Sequence, residues 1–298
     1  ENSSAASDVY KRQPLDSITL GNGSNDLIEF SARAFLTNGD NALYFKHGFA
    51  IYPLAILATG ADLRELPVTE NYHQDLTSVI NFVDKKSKVV FIASPNNPTG
   101  SANTFSEIEA MLNDLPNDLI VFLDQAYFEY IEDEQYKLPF DLIDKYQNLI
   151  ISRSFSKAHG LAAYRLGYCI SSQKIADYLN RVRQPFNVSS FALEAGIASL
   201  NDKEHLRKSV DLNQREKNKL MQFFKKENIE YLPTQGNFFS FSLDTDSDET
   251  FEAFLNEGII LRSLKSYNMD RFVRVSIGQE FENDAFIEAA KKIKGSRN

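Results

Sequence analysis

The sequence predicts an α/β protein: a large domain built on a mostly parallel sheet flanked by helices, followed by a smaller α+β C-terminal domain. Three observations carry this expectation. Apolar runs of strand length alternate with helical patterns over the first two thirds of the chain, as crossover-connected strands require. Residues 89–93 and 119–123 are apolar or β-branched throughout, which suits strands buried on both faces. Beyond about Pro185 the pattern changes to a long charged helix and a second set of strands.

Taken in order, residues 18–20 read as a short strand and Gly21-Asn22-Gly23-Ser24 as a turn. Leu27, Ile28, Phe30, Ala34 and Phe35 then mark a helix that Ser24 or Asn25 would cap. A strand at 42–45 precedes a largely apolar helix at 49–59, closed by Gly60. The strands at 89–93 and 119–123 enclose a crossover helix at 106–115, and strands at 149–152 and 168–171 continue the sheet. The helix at 203–227 has sparse apolar positions (Leu206, Val210, Leu220, Phe224), as a helix lining two lobes would. Strands at 238–243, 259–262 and 272–277 and an amphipathic helix at 281–293 complete the smaller domain. The expected division is 17–187 for the large domain and 188–298, with 1–16, for the small one.

Composition narrows the function. A chain of 298 residues with 43% hydrophobic and 24% charged residues can bury a sizeable core. Its net charge of -9 argues against a nucleic-acid partner, which needs a basic face. Cys169 is the single cysteine, so no disulfide forms within the chain and a cysteine zinc site is excluded. His47, His73, His159 and His205 lack ligand spacing, and no metal is expected. No apolar run approaches the roughly 20 residues that cross a bilayer. The sequence opens on Glu1-Asn2-Ser3 without an initiator Met or a basic-then-apolar leader. The expectation is a cytoplasmic protein with no membrane partner.

Four features point to chemistry. Ser154-Phe155-Ser156-Lys157 follows a strand and sets two hydroxyls beside an amine. A loop lysine is ordinarily a solvated charge, but this grouping suits a phosphate held next to an amine that condenses with an aldehyde. Arg165 lies eight residues on, and its planar fork suits a phosphate as well as an ordinary ion pair. Asp124 closes an apolar strand, where ligands bind in open α/β sheets, and there it could pair with a protonated pyridine nitrogen. The same residue type commonly caps helices. Finally, Ser94-Pro95-Asn96-Asn97-Pro98-Thr99-Gly100 is a stiff turn that would fix the Asn97 amide toward a ligand's phenolic oxygen. All of these follow strand ends and should converge on one sheet edge. Gly23-Ser24-Asn25, opening a helix, adds free backbone amides for a phosphate. The dinucleotide fingerprint is not met, because Gly21 and Gly23 lack a third glycine at the required spacing.

The runs SPNNPTG (94–100), DQAY (124–127), SFSK (154–157) and YRLGY (164–168) resemble the fold-type-I pyridoxal-phosphate aminotransferases. LGNGSND (20–26), RQPFNVS (183–189), EGIILRSLKSY (257–267) and RVSIG (274–278) bring the likeness closest to the histidinol-phosphate aminotransferase branch. The resemblance implies that Lys157 carries pyridoxal 5'-phosphate and shuttles a proton at the substrate's α-carbon. It implies Asp124 at the pyridine nitrogen, and Asn97 and Tyr127 at the phenolic oxygen. Ser154, Ser156, Arg165 and the amides around Ser24 and Asn25 would hold the phosphate. Phe49 stands where the family usually has a tyrosine stacked on the ring, so stacking is kept and the hydroxyl is lost. Arg262 and Arg274 match arginines that bind the substrate's anionic end. The implied reaction is a ping-pong exchange between L-histidinol phosphate and 2-oxoglutarate in histidine biosynthesis, by a homodimer. Gln125 and Asn25 replace a usual glutamate and aspartate without removing a group the chemistry needs. Family members also carry an N-terminal segment whose tyrosines reach the substrate and the partner's cofactor phosphate. Glu1-Asn2-Ser3 is read as a remnant of a motif near its start, the part that follows being absent from this sequence, and Tyr10 is given no such role.

The same lysine and aspartate would also serve an aromatic aminotransferase or a decarboxylase of a phosphorylated amino acid. A non-catalytic sensor that keeps the cofactor site has less need of the proton-shuttling amine. A plain phosphate-binding α/β protein would use only Arg165 and the serines.

Overall fold

In a computed structural model, which describes residues 14–137 and 142–295, two sheets organise the chain. The strands of the larger sheet are β1 (Ile18–Asn22), β2 (Asn41–Phe45), β3 (Asp62–Leu66), β4 (Ser87–Ala93), β5 (Ile120–Asp124), β6 (Leu149–Ser154) and β7 (Leu166–Ser171). Their spatial order is β1-β7-β6-β5-β4-β2-β3. Strand β7 runs antiparallel to β1 and β6, and the other neighbours are parallel. Residues 1–13, including Tyr10, lie outside the described residues.

Alternation along the central strands explains the two helical layers. Val90, Ile92, Val121, Leu123, Leu149 and Ile151 face one side, where they meet α3 (Phe105–Asp114), the 3-10 segment Leu76–Phe82 and α5 (Ser190–Asn201). Val89, Phe91, Phe122, Ile150 and Cys169 face the other, against α1 (Ser24–Phe35), α2 (Ile51–Leu57) and α4 (Gln173–Val182). A period of two in the strands thus builds a core on each face from one unbroken apolar run. Helix α3 starts in a capping box, with Thr104 and Glu107 satisfying each other's backbone amides.

The smaller sheet is antiparallel, in the order β10 (Arg262–Ser263), β11 (Val273–Ser276), β9 (Phe238–Ser242), β8 (Glu230–Tyr231). Phe239, Phe241, Val273 and Val275 point to helices α6 (Lys203–Lys226), α7 (Ser247–Asn256) and α8 (Glu280–Gly295). An aromatic core results, with Phe254 stacked on Phe286 at 5.3 Å and 9°. The intervening residues face the larger sheet. Phe238 packs edge-on to Tyr127 at 5.2 Å, and the Ser240 hydroxyl donates to the Pro98 carbonyl at 2.6 Å. The backbone N–H of Gln235 donates to the Gly100 carbonyl at 2.9 Å. The expected boundary at 187/188 falls between α4 and α5, and α5 lies on the larger core through Ala192 and Leu200. Among the described residues no helix is long and apolar enough to cross a membrane.

Several local expectations are corrected. Gly23, at φ 74°, is the N-cap of α1, and Ser24 and Asn25 are its first helical residues. The run at 259–262 contributes only Arg262 to a strand. The Ile259 amide instead bonds to the Phe254 carbonyl, and Ile260 is 80% exposed. Strand β3 went unread because only Leu66 of its residues is buried, and pairing with β2 sets its conformation.

Gly100 joins the two sheets. It sits at φ +79°, and a Cβ there would stand 2.4 Å from Thr234 Oγ1. Gly39 has φ +93° with open space around it. Gly39→Ala is expected to cost only the left-handed strain, about 1 kcal/mol, whereas Gly100→Ala should cost clearly more in urea unfolding. Equal losses would remove the Thr234 contact as a constraint.

Candidate active site

The carboxyl ends of parallel strands gather the side chains singled out in the sequence. Phe49 follows β2, Asn97 follows β4, Asp124 closes β5, and Ser154, Ser156 and Lys157 close and follow β6. Arg165 immediately precedes β7, whose reversed direction brings it to the same rim. Ser24 and Asn25 open α1 after β1. These residues line one cavity together with Tyr52, Ala93, Pro95, Ala126, Tyr127 and Ala162. Arg274 reaches it indirectly, donating from Nη1 to Asn97 Oδ1. That contact uses the amide oxygen and leaves the Asn97 NH2 as a donor. Arg262 pairs with Arg274 in register, so both side chains project from the same face of the small sheet. It is exposed and does not line the cavity.

Asp124 sits on the floor, only 5% exposed. Burial pushes its carboxyl up to about 6, against hydrogen bonds from Tyr52 and the Ala126 amide and the charge of Lys157. Its Oδ2 accepts from the Tyr52 hydroxyl at 3.0 Å and its Oδ1 from the Ala126 N–H at 3.1 Å. Burial, with the Arg274 and Arg165 charges, lowers the affinity of Lys157 for its proton, and Asp124 opposes them. A larger fraction of neutral amine is therefore available for nucleophilic attack. Tyr127 is buried and its phenol is pushed up to about 12, chiefly by burial, so it acts as a hydrogen-bond donor. Lys157 Nζ lies 5.2 Å from its ring.

The rim is built for an anion. Helix α1 begins at a glycine without a side-chain cap, so its first-turn amides are open. A Cβ at Gly23 would come within 2.3 Å of Arg165 Nη2, so only glycine admits the guanidinium there. Arg165 Nη1 also donates to the Ser156 hydroxyl at 3.4 Å, and the Ser156 amide donates to Ser154 Oγ at 3.0 Å. Phosphate donors at the rim, a reactive amine and a buried carboxylate that calls for a cation match the three ends of pyridoxal phosphate. The residues present fit that group. Tyr52 belongs to the site although no motif in the sequence marks it. Its spacing of three from Phe49, one helical turn, was the available signal.

The aminotransferase class I and II family matches residues 4–289, and the chain belongs to it. Histidinol-phosphate aminotransferase 2 of Haemophilus influenzae is 44% identical over 276 residues, covering 93% of this chain and 75% of that protein. The Pseudomonas fluorescens enzyme of the same name is 43% identical over 279 residues, covering 94% and 75%. Among solved structures, histidinol-phosphate aminotransferase from Sinorhizobium meliloti in complex with pyridoxal-5'-phosphate superimposes with a TM-score of 0.92 at 23% identity, covering 100% of this chain and 81% of that one. The enzyme from Clostridium acetobutylicum gives 0.90 at 24%, covering 99% and 88%. The fold is that of these aminotransferases.

A raised carboxyl in the folded state stabilises below its unfolded value of 3.8, and that contribution is lost as pH rises through about 6. Asp124→Asn cannot ionise. In the cofactor-free protein it should unfold at a higher temperature than the parent at about pH 8, by a margin worth about 2–3 kcal/mol that shrinks toward about pH 5. Thermal melts that coincide at the higher pH would show that the buried charge costs nothing.

Proposed function

We propose that the protein is a pyridoxal-phosphate-dependent aminotransferase that converts L-histidinol phosphate and 2-oxoglutarate to imidazole-acetol phosphate and L-glutamate, a step of histidine biosynthesis. The observation that carries this is one cavity holding an amine with weakened proton affinity, Lys157, and a buried carboxylate, Asp124. The two relatives described above, 44% and 43% identical and both named for that substrate, support the choice of reactants.

When bound, the cofactor supplies an aldehyde carbon that accepts and returns the amino group and a ring that draws off electrons. Lys157 would hold it through Nζ, and the same amine would carry the proton from the substrate's α-carbon. Asp124 holds the proton on the ring nitrogen. The Asn97 NH2 and the Tyr127 hydroxyl would donate to the phenolic oxygen, and Phe49 would pack against the ring. Ser154, Ser156, Arg165 and the amides of Ser24 and Asn25 hold the phosphate. Arg274 and Arg262 receive the substrate's anionic end. Guanidinium forks bind phosphate and carboxylate alike, so the two reactants of a ping-pong exchange can alternate in one site.

The proposal extends to a division into 17–187 and 188–298 with 1–16, to a cytoplasmic enzyme, and to a homodimer. Exposed apolar side chains on elements beside the cavity support the last: Leu54 and Leu57 on α2, and Phe186 and Phe191 near α5, which are 98% and 79% exposed.

Borohydride reduction with the cofactor present should label the peptide that contains Lys157, and histidinol phosphate with 2-oxoglutarate should yield glutamate. Labelling of another lysine would overturn the site. Turnover of phenylalanine but not histidinol phosphate would overturn the substrate. Sedimentation should give a dimer, and a stable, fully active monomer would contradict it.

A further inference from the structure

We infer that Tyr52 is a positioning residue for the reaction: its hydroxyl keeps Asp124 ionised and in a fixed plane, so that the carboxylate meets the cofactor's ring nitrogen as a charge. The inference rests on the cofactor reading above. The two oxygens of Asp124 receive one protein donor each, Tyr52 at 3.0 Å and the Ala126 amide at 3.1 Å. With one donor per oxygen the carboxylate cannot rotate without losing both.

Tyr52 is itself held rigidly. It is 1% exposed, stacked on Phe91 at 5.4 Å and 13°, and meets Phe49 edge-on at 5.9 Å and 86°. A phenylalanine would make the same ring contacts, so packing does not account for the hydroxyl. A hydroxyl buried this deeply needs a partner, and here that partner is the one carboxylate on the cavity floor. Burial and the Asp124 charge hold the Tyr52 phenol well above its ordinary range, so it donates and does not ionise.

Other groups face the pair. Lys157, on the loop after β6, is the cation that faces Asp124. Tyr127, after β5, faces Asp124, and Tyr267, on the segment Lys265–Tyr267, faces both tyrosines. Arg274, on β11, faces Lys157 and Tyr127. A Tyr52→Phe substitution leaves all of these in place, so a change in ionisation traces to the lost hydroxyl. Hydrogen bonding to the charged form favours it, and its loss moves Asp124 toward the neutral acid.

The test is binding of pyridoxamine phosphate, which cannot condense with Lys157, to cofactor-free parent and Tyr52→Phe proteins between about pH 5 and about pH 9. The acid-side pH at which affinity falls should rise by about one unit in the variant, with the two proteins agreeing within about twofold at the alkaline end. An analogue with carbon in place of the ring nitrogen should bind both alike. In an Asp124→Asn background, adding Tyr52→Phe should produce no further shift. An unmoved pH midpoint, or a loss equal at every pH and for both ligands, would overturn the role and leave Tyr52 to packing. A parent that binds neither ligand would overturn the functional reading along with it. Melting curves of the cofactor-free proteins establish that the variant is folded.

Discussion

A carboxylate withdrawn from water at the end of β5 sets the terms for everything around it. Asp124 is buried beneath the cavity, where an uncompensated charge is costly. The surroundings reduce that cost only in part, through one phenol, one amide and the charge of Lys157. A fixed cation at the carboxylate completes the compensation. The cavity floor thus favours a cation over a neutral group, and the buried carboxylate lowers the stability of the protein without one.

The lobes are coupled through the loop 94–100. Asn97 faces the cavity, while Pro98 accepts from Ser240 on β9, Gly100 accepts from Gln235 in the loop before it, and Arg274 reaches back to Asn97. Strand alternation makes this possible. Phe239 and Phe241 fill the helix-covered core, which leaves Phe238 and Ser240 to face the larger sheet. One β-strand therefore fills a hydrophobic core on one side and braces Tyr127 and the loop 94–100 on the other.

Much of this was legible in the sequence because the informative residues are local. Lys157, Arg165, Asp124 and Asn97 sit in short motifs after or before strands whose apolar runs identify them. Parallel topology then gathers them without further information. What escaped depends on partners distant in sequence. Tyr52 meets Asp124 across 72 residues. Strand β3 carries almost no buried side chains and exists through its neighbour. The apolar run at 259–261 looked like a strand, yet its first amide closes the preceding helix and Ile260 stays in solvent. The turn at Gly23 was recognised, but backbone geometry rather than side-chain capping starts the helix.

The path from Ser154 to Leu166 leaves the sheet and returns to the same rim, because β7 reverses direction. The Phe155 and Leu166 backbones bond at 3.0 Å, and the Leu161 amide folds back onto Phe155 at 3.0 Å. The two serines and Arg165, which line one cavity, are therefore hinged on a single short chain excursion. A lengthened excursion here would part the serines from Arg165. Lys157 sits between them in the chain, so a change of loop length that separates them also displaces its amine.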